Sequence, residues 1–425
     1  MKTQFLSAAA VALLTLACEM PAPLASDGPI GLPNPYFAAG GVGRPSVLVN
    51  PSSNDEGTAK TIQEGIDMVA EGGKVLVVPG TYNEAVVIDK GLTLEAVGGE
   101  SGPAIVAPLE APTIAVEVAT TEPVIIRGLT VHARPFGIRG VVGVAEDVTV
   151  ERTTVLAIDP PLGVNFLIDV ANDAPTSTRG RLVVRESFLD GNVSFERSLS
   201  PPVPLIFGIG VTGDVDARLE GNVIRRTGGA CILVNMRNDL GGSMNVDIVN
   251  NDLDECYGRA GSILVEGFVP FPTQPVTATG TVNIVGNTIR NSTGSCTISA
   301  INYGFYTGNI ERNRILGVVQ PCASPPPTLR GIPAGIWVGS LRGYPPATPV
   351  VRFNDIEGNA QAGLRVAPNV ATPLDATCNW WGSASGPSGA GSGTGDAVLV
   401  GAGAATPVFM PFATGPIARA QATSC

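Results

Sequence analysis

The amino-acid sequence predicts an all-β solenoid of stacked coils. Three observations carry this: a short phrase that recurs along the chain, a composition rich in turn formers, and one isolated helical pattern ahead of the repeats. The phrase reads apolar–x–apolar–x–x–Asn–x–Ile/Leu. It stands as ARLEGNVI at 217–224, VDIVNNDL at 246–253, VNIVGNTI at 282–289, GNIERNRI at 308–315 and PVVRFNDI at 349–356. Segments at 124–131, 148–155 and 182–189 keep the apolar frame without the Asn. From Leu129 the key position recurs at Thr153, Ser187, Asn222, Asn251, Asn287, Asn313 and Asn354, in steps of 24 to 41 residues. A strand-like repeat of this period means a solenoid.

Composition agrees. Among 425 residues there are 53 Gly and 36 Pro, with only 15% charged and 5% aromatic. That balance favours many short strands and turns over helices. The formal net charge of −11 argues against a nucleic-acid partner, whose phosphates would be repelled.

Taken in order, residues 1–17 read as an export signal, with Lys2 at the charged end and an apolar run from Phe5 to Ala17. Cys18 follows in LLTLAC, a segment that resembles a bacterial lipobox, so Cys18 is the expected lipidation site and Glu19 after it implies the outer membrane. Residues 18–45 are rich in Pro and Gly and read as the anchor and its tether. In TAKTIQEGIDMVAEGG at 58–73, Ala59, Ile62, Ile66 and Val69 have helical spacing; Thr61 and Glu64 fit a capping box, and Gly72–Gly73 are expected to stop the helix. A single amphipathic helix here serves as a cap over the first coil's edge. The solenoid then runs over 46–375, alternating inward apolar with outward polar residues. Stacked coils place the Asn side chains one above another, each amide bonding its neighbours. Residues 376–425 are Gly/Ser-rich, begin near Trp380–Trp381 and form a C-terminal cap, with Phe409 and Phe412 covering the last coil.

These residues resemble the right-handed parallel β-helix superfamily, often called pectin-lyase-like. TIQEGIDMVAEGGKVLVVPGTYNEAVVIDKGLTLEAVGG at 61–99 is similar to the N-terminal part of many members, and CNWWGSASGP at 378–387 to a closing segment of secreted bacterial ones. The resemblance implies the fold and leaves function open, since the superfamily includes lyases, hydrolases, esterases, adhesins and scaffolds. The NTD, GHG and RIK segments of polygalacturonase-like members, the DPHE of epimerase-like members and the DFIFG of pectin methylesterases are absent from this chain.

Seven Cys less Cys18 leave six, an even set for an exported protein. Counting from each coil's Asn position, Cys296 and Cys322 both lie nine residues on; Cys231 lies nine on and Cys256 five on, in adjacent coils. The expected pairs are Cys231–Cys256, Cys296–Cys322 and Cys378–Cys425. Zinc is disfavoured, because there is no CxxC and the single His is His132.

The candidate chemistry lies in GDVDA (Asp214, Asp216) and NNDLDE (Asp252, Asp254, Glu255), with Arg225 and Arg290 nearby. Alternation puts each Asp pair on one outer face, where two carboxylates could share a calcium ion; Asp252, Asp254 and Glu255 are the metal candidates. Carboxylates beside Arg suit a uronate polymer, and equally a solvated face of mixed charge. Tyr303, Tyr306, Trp337 and Tyr344 are candidates for stacking on sugars, or for packing loops onto the body. Three functions follow: a surface-anchored, monomeric β-helix that binds extracellular polysaccharide without catalysis; a lyase or hydrolase acting on an acidic glycan through the Asp and Arg candidates; or a structural or adhesive envelope protein. No cofactor is required for the first; calcium is the option for the second.

Overall fold

The structure, a computed structural model, describes residues 43–97, 104–109, 113–140, 147–159, 164–172, 179–194, 204–237, 243–257, 261–268, 279–292, 299–304, 306–318, 334–339, 348–359, 361–417 and 425. The export signal, Cys18, Cys296, Cys322 and Tyr344 lie outside them.

The chain is a right-handed parallel β-helix. Its strands form three sheets in which every pairing is parallel. The first sheet runs from Arg44–Val49 to Val350–Arg352, the second from Gly80–Tyr82 to Asp355–Glu357, and the third from Val86–Ile88 to Gly395–Val400 and Pro387–Gly389. Each coil contributes one strand to each sheet, so residues distant in sequence stack in register. Ile168, Ile209, Ile232, Ile263, Ile301 and Ile336 form one such inward column and are fully buried. β-branched side chains suit these columns, because the pleat fixes their rotamers against the coils above and below.

The turn from first to second sheet is two residues long in each repeat: 221–222, 250–251, 286–287, 312–313 and 353–354. Its first residue is left-handed, with φ of 65° at Gly221, 56° at Asn250, 72° at Gly286, 56° at Arg312 and 57° at Phe353. Its second is the repeating Asn, whose amide closes the coil. Asn287 Oδ1 accepts from the backbone N–H and Nδ2 of Asn251 at 2.8 and 2.9 Å, while Asn287 Nδ2 donates to Ile248 O and to Asn313 Oδ1 at 2.8 and 3.0 Å. The same bonds link Asn222 to Asn251, Asn313 to Asn354 and Asn354 to Asn379. Upstream the ladder continues through Ser187 and Thr153 with shorter side chains. Each ladder amide is buried and has its hydrogen bonds made.

The N-terminal helix is shorter than its periodicity predicts: Ile62–Met68. Thr61 Oγ1 accepts from Glu64 N, the first half of the expected capping box, while Glu64 reaches back to Lys60 N, one residue before the cap. Glu84 adds a second cap, accepting from Ile62 N and Gln63 N at 2.7 and 3.0 Å. Gly72–Gly73 do not end the helix. It ends at Met68, because Val69 turns extended and opens the strand Val69–Val77, which pairs with Arg44–Val49. Both glycines lie inside that strand; the sheet edge outcompetes further helical turns. The solenoid also begins two residues before the expected boundary, at Arg44, where an edge strand tolerates Pro45.

At the other end the solenoid extends past residue 375. Asn379 is the last rung, and Trp381 fills the interior beyond Ile356 with no exposed surface. Phe409 and Phe412 pack on the core from the cap, as expected. The Gly/Ser-rich segment itself donates Pro387–Gly389 and Gly395–Val400 to the third sheet. Cys231–Cys256 is bridged between adjacent coils, with Cα atoms 5.6 Å apart, and Cys378–Cys425 ties the chain end to the last ladder turn.

Candidate functional site

Alternation does place both Asp pairs outward, but on different sheets. Asp214 and Asp216 border the first sheet, whereas Asp252 and Asp254 lie on the second. They do not form one cluster. Each pair converges as expected on a shared partner, and that partner is an arginine. Arg179 meets Asp214 at 3.5 Å and Asp216 at 2.7 Å. Arg290 is bidentate on Asp252, at 2.5 and 3.1 Å, and donates Nε to Asp254 at 3.1 Å. Glu255 takes a left-handed φ of 54°, leaves the alternation, and acts electrostatically on Arg226. Among the described residues no three His, Cys, Asp or Glu side chains gather into a metal-binding group, so Asp252, Asp254 and Glu255 do not form the expected calcium set. A guanidinium fork fills the place between the carboxylates.

Arg225 is not free either. It pairs with Asp190 at 3.0 Å and stacks over Phe188 at 4.7 Å. Arg226 grips the same carboxylate at 2.5 and 2.8 Å. In register, Asp190, Arg225, Asp254 and Arg290 alternate in sign from coil to coil. The first sheet repeats the device with Glu95, Arg127, Glu151, Arg185 and Glu220. Glu151 is held between Arg127 and Arg185. The outer charges are thus spent on one another along the axis, a rule that sequence reading missed at Asp190 and Glu151. Aligning the coils at their Asn positions would have exposed it.

Burial pushes the Asp190 carboxyl up, but Arg226, the Asn192 N–H and Arg225 outweigh it and hold the group below the ordinary range. Glu151 is the same case: burial is opposed and overcome by Arg185 and Arg127. A carboxylate depressed in the folded state adds stability above its unfolded pKa, near 4, and loses it as pH falls through the folded value. Denaturation measured against pH is therefore expected to show stability declining below about pH 4. Asp190→Asn and Glu151→Gln should lower the neutral plateau and flatten that acid limb. An unchanged limb in both would show that these pairs contribute nothing. Asp396 has the opposite sign: burial raises its carboxyl despite the Asn359 amide, so its contribution falls as pH rises above about 4.

Of the aromatic candidates, Tyr303, Tyr306 and Trp337 are not surface platforms. Tyr303 is fully buried and inward, its hydroxyl donating to Val282 O and Thr307 O at 2.9 and 2.7 Å. Tyr306 is buried as well. Trp337 leaves the third sheet outward but is only 7% exposed, its ring lying where a Cβ on Gly339 would be. None of the three presents a ring face to a sugar: the tyrosines are buried, and the outward Trp337 ring is covered. The stacked aromatics are others: Phe136, Phe166 and Phe207, with ring centroids 6.4 and 4.9 Å apart. Their faces meet one another, Arg139 covers Phe136 at 4.3 Å, and Gly229 lies against Phe207.

One face differs from the others. The turns between first and second sheets have two residues except the one over 97–103, whereas every connection of ten residues or more borders the third sheet. Fourteen residues separate Asp190 from Leu205, nineteen separate Leu316 from Ile336, and eleven separate Val338 from Val350. In solenoids, insertions of this kind mark the working side. The outer face between them carries Arg139 paired with Asp169 at 3.3 Å, then Gly210, Leu233, Leu264 and Asn302 in one register row. Thr212, Asn235 and Glu266 form the row beside it.

Fold and charge pattern define a parallel β-helix with self-compensating outer charge and one loop-bordered face. No protein-family model matches the chain, and no curated protein matches it. Two solved structures are similar. Pectate lyase Pel9A is 12% identical, with 76% of this chain and 82% of that chain covered, at a TM-score of 0.44. The catalytic unit of the thermostable GH87 alpha-1,3-glucanase from Streptomyces thermodiastaticus strain HF3-3 is 15% identical, with 88% of this chain and 71% of that chain covered, at a TM-score of 0.37.

Proposed function

We propose that this protein is an exported β-helix, anchored through lipid on Cys18, that binds extracellular polysaccharide along the outer face of its third sheet without cleaving it. The observation that carries the reading is the clustering of every long connection around that face. A polymer with a short repeat suits a surface that repeats every coil, about 4.8 Å apart. The non-catalytic part rests on the carboxylates. Asp214, Asp216, Asp252 and Asp254 are held by Arg179 and Arg290 on the other sheets. On the third sheet's outer face Asp169 stands two coils from Glu117, about 10 Å, and three coils from Glu266, about 14 Å. Paired glycosidase carboxyls stand about 5 to 9.5 Å apart.

The test uses the full chain with Cys18→Ser, incubated with immobilised neutral and acidic polysaccharides, with calcium or with a chelator. Retention without released oligosaccharide, unchanged by chelation, is the expected result. Release of unsaturated or reducing ends overturns the non-catalytic reading. No retention on any polymer overturns binding and leaves the structural or adhesive role.

A further inference from the structure

The two bridges among the described residues differ in access. Cys231–Cys256 is enclosed between coils, with no exposed surface on either residue. In Cys378–Cys425, Cys378 is buried in the last ladder turn while Cys425 is exposed. A strap over 411–417 holds this corner independently of the sulfurs. Cys378 N–H donates to Pro411 O at 2.7 Å, Ala413 N–H to Asn379 O at 3.0 Å and Ile417 N–H to Asp355 Oδ1 at 2.7 Å. The two sulfurs also have different surroundings. Arg352 Nη2 lies 3.9 Å from Cys378 Sγ, while its Nε faces Asp375 at 3.7 Å. Cys425 Sγ lies 3.9 Å from the Pro411 carbonyl oxygen.

We propose that Cys378–Cys425 is a thiol-exchange site, opened by a thiolate that attacks Cys425 Sγ and expels Cys378 Sγ. This stands apart from the polysaccharide reading and does not need it. The rate of exchange depends on which sulfur can be reached and on how well the other carries the departing charge. Cys425 can be reached. Cys378 departs beside a guanidinium, which stabilises the thiolate as it forms. In the first step a bond forms between the attacking sulfur and Cys425 Sγ, the bond from Cys425 to Cys378 breaks, and its electron pair stays on Cys378 Sγ. A monothiol stops there, as a mixed disulfide on Cys425. A dithiol goes on: its second thiolate attacks its own first sulfur, and Cys425 leaves as a thiolate. Both cysteines are then reduced, and the dithiol has become a disulfide. The coils keep their fold, because the strap's hydrogen bonds, the Asn ladder and the enclosed Cys231–Cys256 take no part.

The folded full chain (Cys18→Ser) is treated with dithiothreitol or with glutathione, trapped with iodoacetamide over a time course and mapped by mass spectrometry. With dithiothreitol, alkylation of Cys378 and Cys425 is expected first. Cys231 and Cys256 should follow at least about a thousandfold more slowly, because they wait for unfolding. With glutathione, the adduct is expected on Cys425 and the free thiol on Cys378. Arg352→Gln should slow opening by dithiothreitol about three- to tenfold, and Arg352→Lys, which keeps the positive charge, should recover most of the rate. If the glutamine variant does not fold, high salt, which screens the guanidinium, should slow opening of the unaltered chain in the same direction. Equal rates for the two bridges, or Cys231–Cys256 opening first, overturns the site. Glutathione found on Cys378 overturns the direction of attack. A rate that neither the Arg352 substitution nor salt changes overturns the part given to the guanidinium.

Discussion

Asn287→Ala is expected to lower stability by about 3 kcal/mol or more, the largest loss among single polar substitutions in the coils. The residue is fully buried. Removing its amide leaves the backbone N–H of Asn251 without its acceptor and takes the side-chain donor from Ile248 O, while Asn251 Nδ2 and Asn313 Oδ1 each lose one of two partners. Each orphaned buried group costs about 1–3 kcal/mol, and no water-sized polar replacement comes with the mutation. Asn287→Asp should also destabilise, because it keeps the acceptor but turns the donor toward Asn313 Oδ1 into a second negative oxygen. The control is Asn245→Ala, an exposed position on the first sheet, expected to change stability by less than about 0.5 kcal/mol. Denaturant unfolding of the three variants measures this. Equal midpoints for Asn287→Ala and Asn245→Ala would mean that the ladder is decoration rather than structure.

Trp381→Ala is expected to cost about 3–5 kcal/mol, with unfolding beginning at the C-terminal coils. Trp381 is the largest fully buried side chain and occupies the interior position that Ile356 holds one coil earlier. Its neighbour Trp380 points the other way and donates Nε1 to Glu357 at 3.1 Å. Trp381 Nε1 has no acceptor among the described residues. That asymmetry gives a second outcome: Trp381→Phe, which keeps a ring and removes the orphan donor, should cost less than about 1.5 kcal/mol. Thermal unfolding of both variants tests the pair. A phenylalanine as damaging as alanine would show that the indole N–H is satisfied in solution and that the plug depends on it.

The fold was open to sequence reading because its determinants are local and repeated. Alternation of Val282, Ile284 and Ile289 with polar neighbours states which side of each strand is inside, and the Asn before each Ile or Leu marks the tight turn. The cap helix was signalled by Thr61 and Glu64, although its end was set by the pairing of Val69–Val77 and not by Gly72–Gly73. The bridge Cys231–Cys256 followed from the same counting. Where the reading failed, the missing quantity was the partner across coils. Asp252 and Asp254 read as a pair on one face, but Arg290 one coil later is what they bind. Tyr303 and Trp337 looked like excursion residues because the segments around them are long; both belong to third-sheet strands and are buried.

What the sequence determined by itself is the period, the inward columns and the hydrogen-bonded turn, since each depends on chain geometry within one strand and its two-residue corner. What only the tertiary structure decided is which outer side chains meet and which face the long connections border. Steps between equivalent positions vary from 24 to 41 residues, so the register of one coil on the next is fixed by packing of the buried columns. Side chains brought side by side in this way, such as Asp190 with Arg225 and Asn235 with Thr212 and Glu266, are joined by a coil's rise in space and by no regular spacing in the chain.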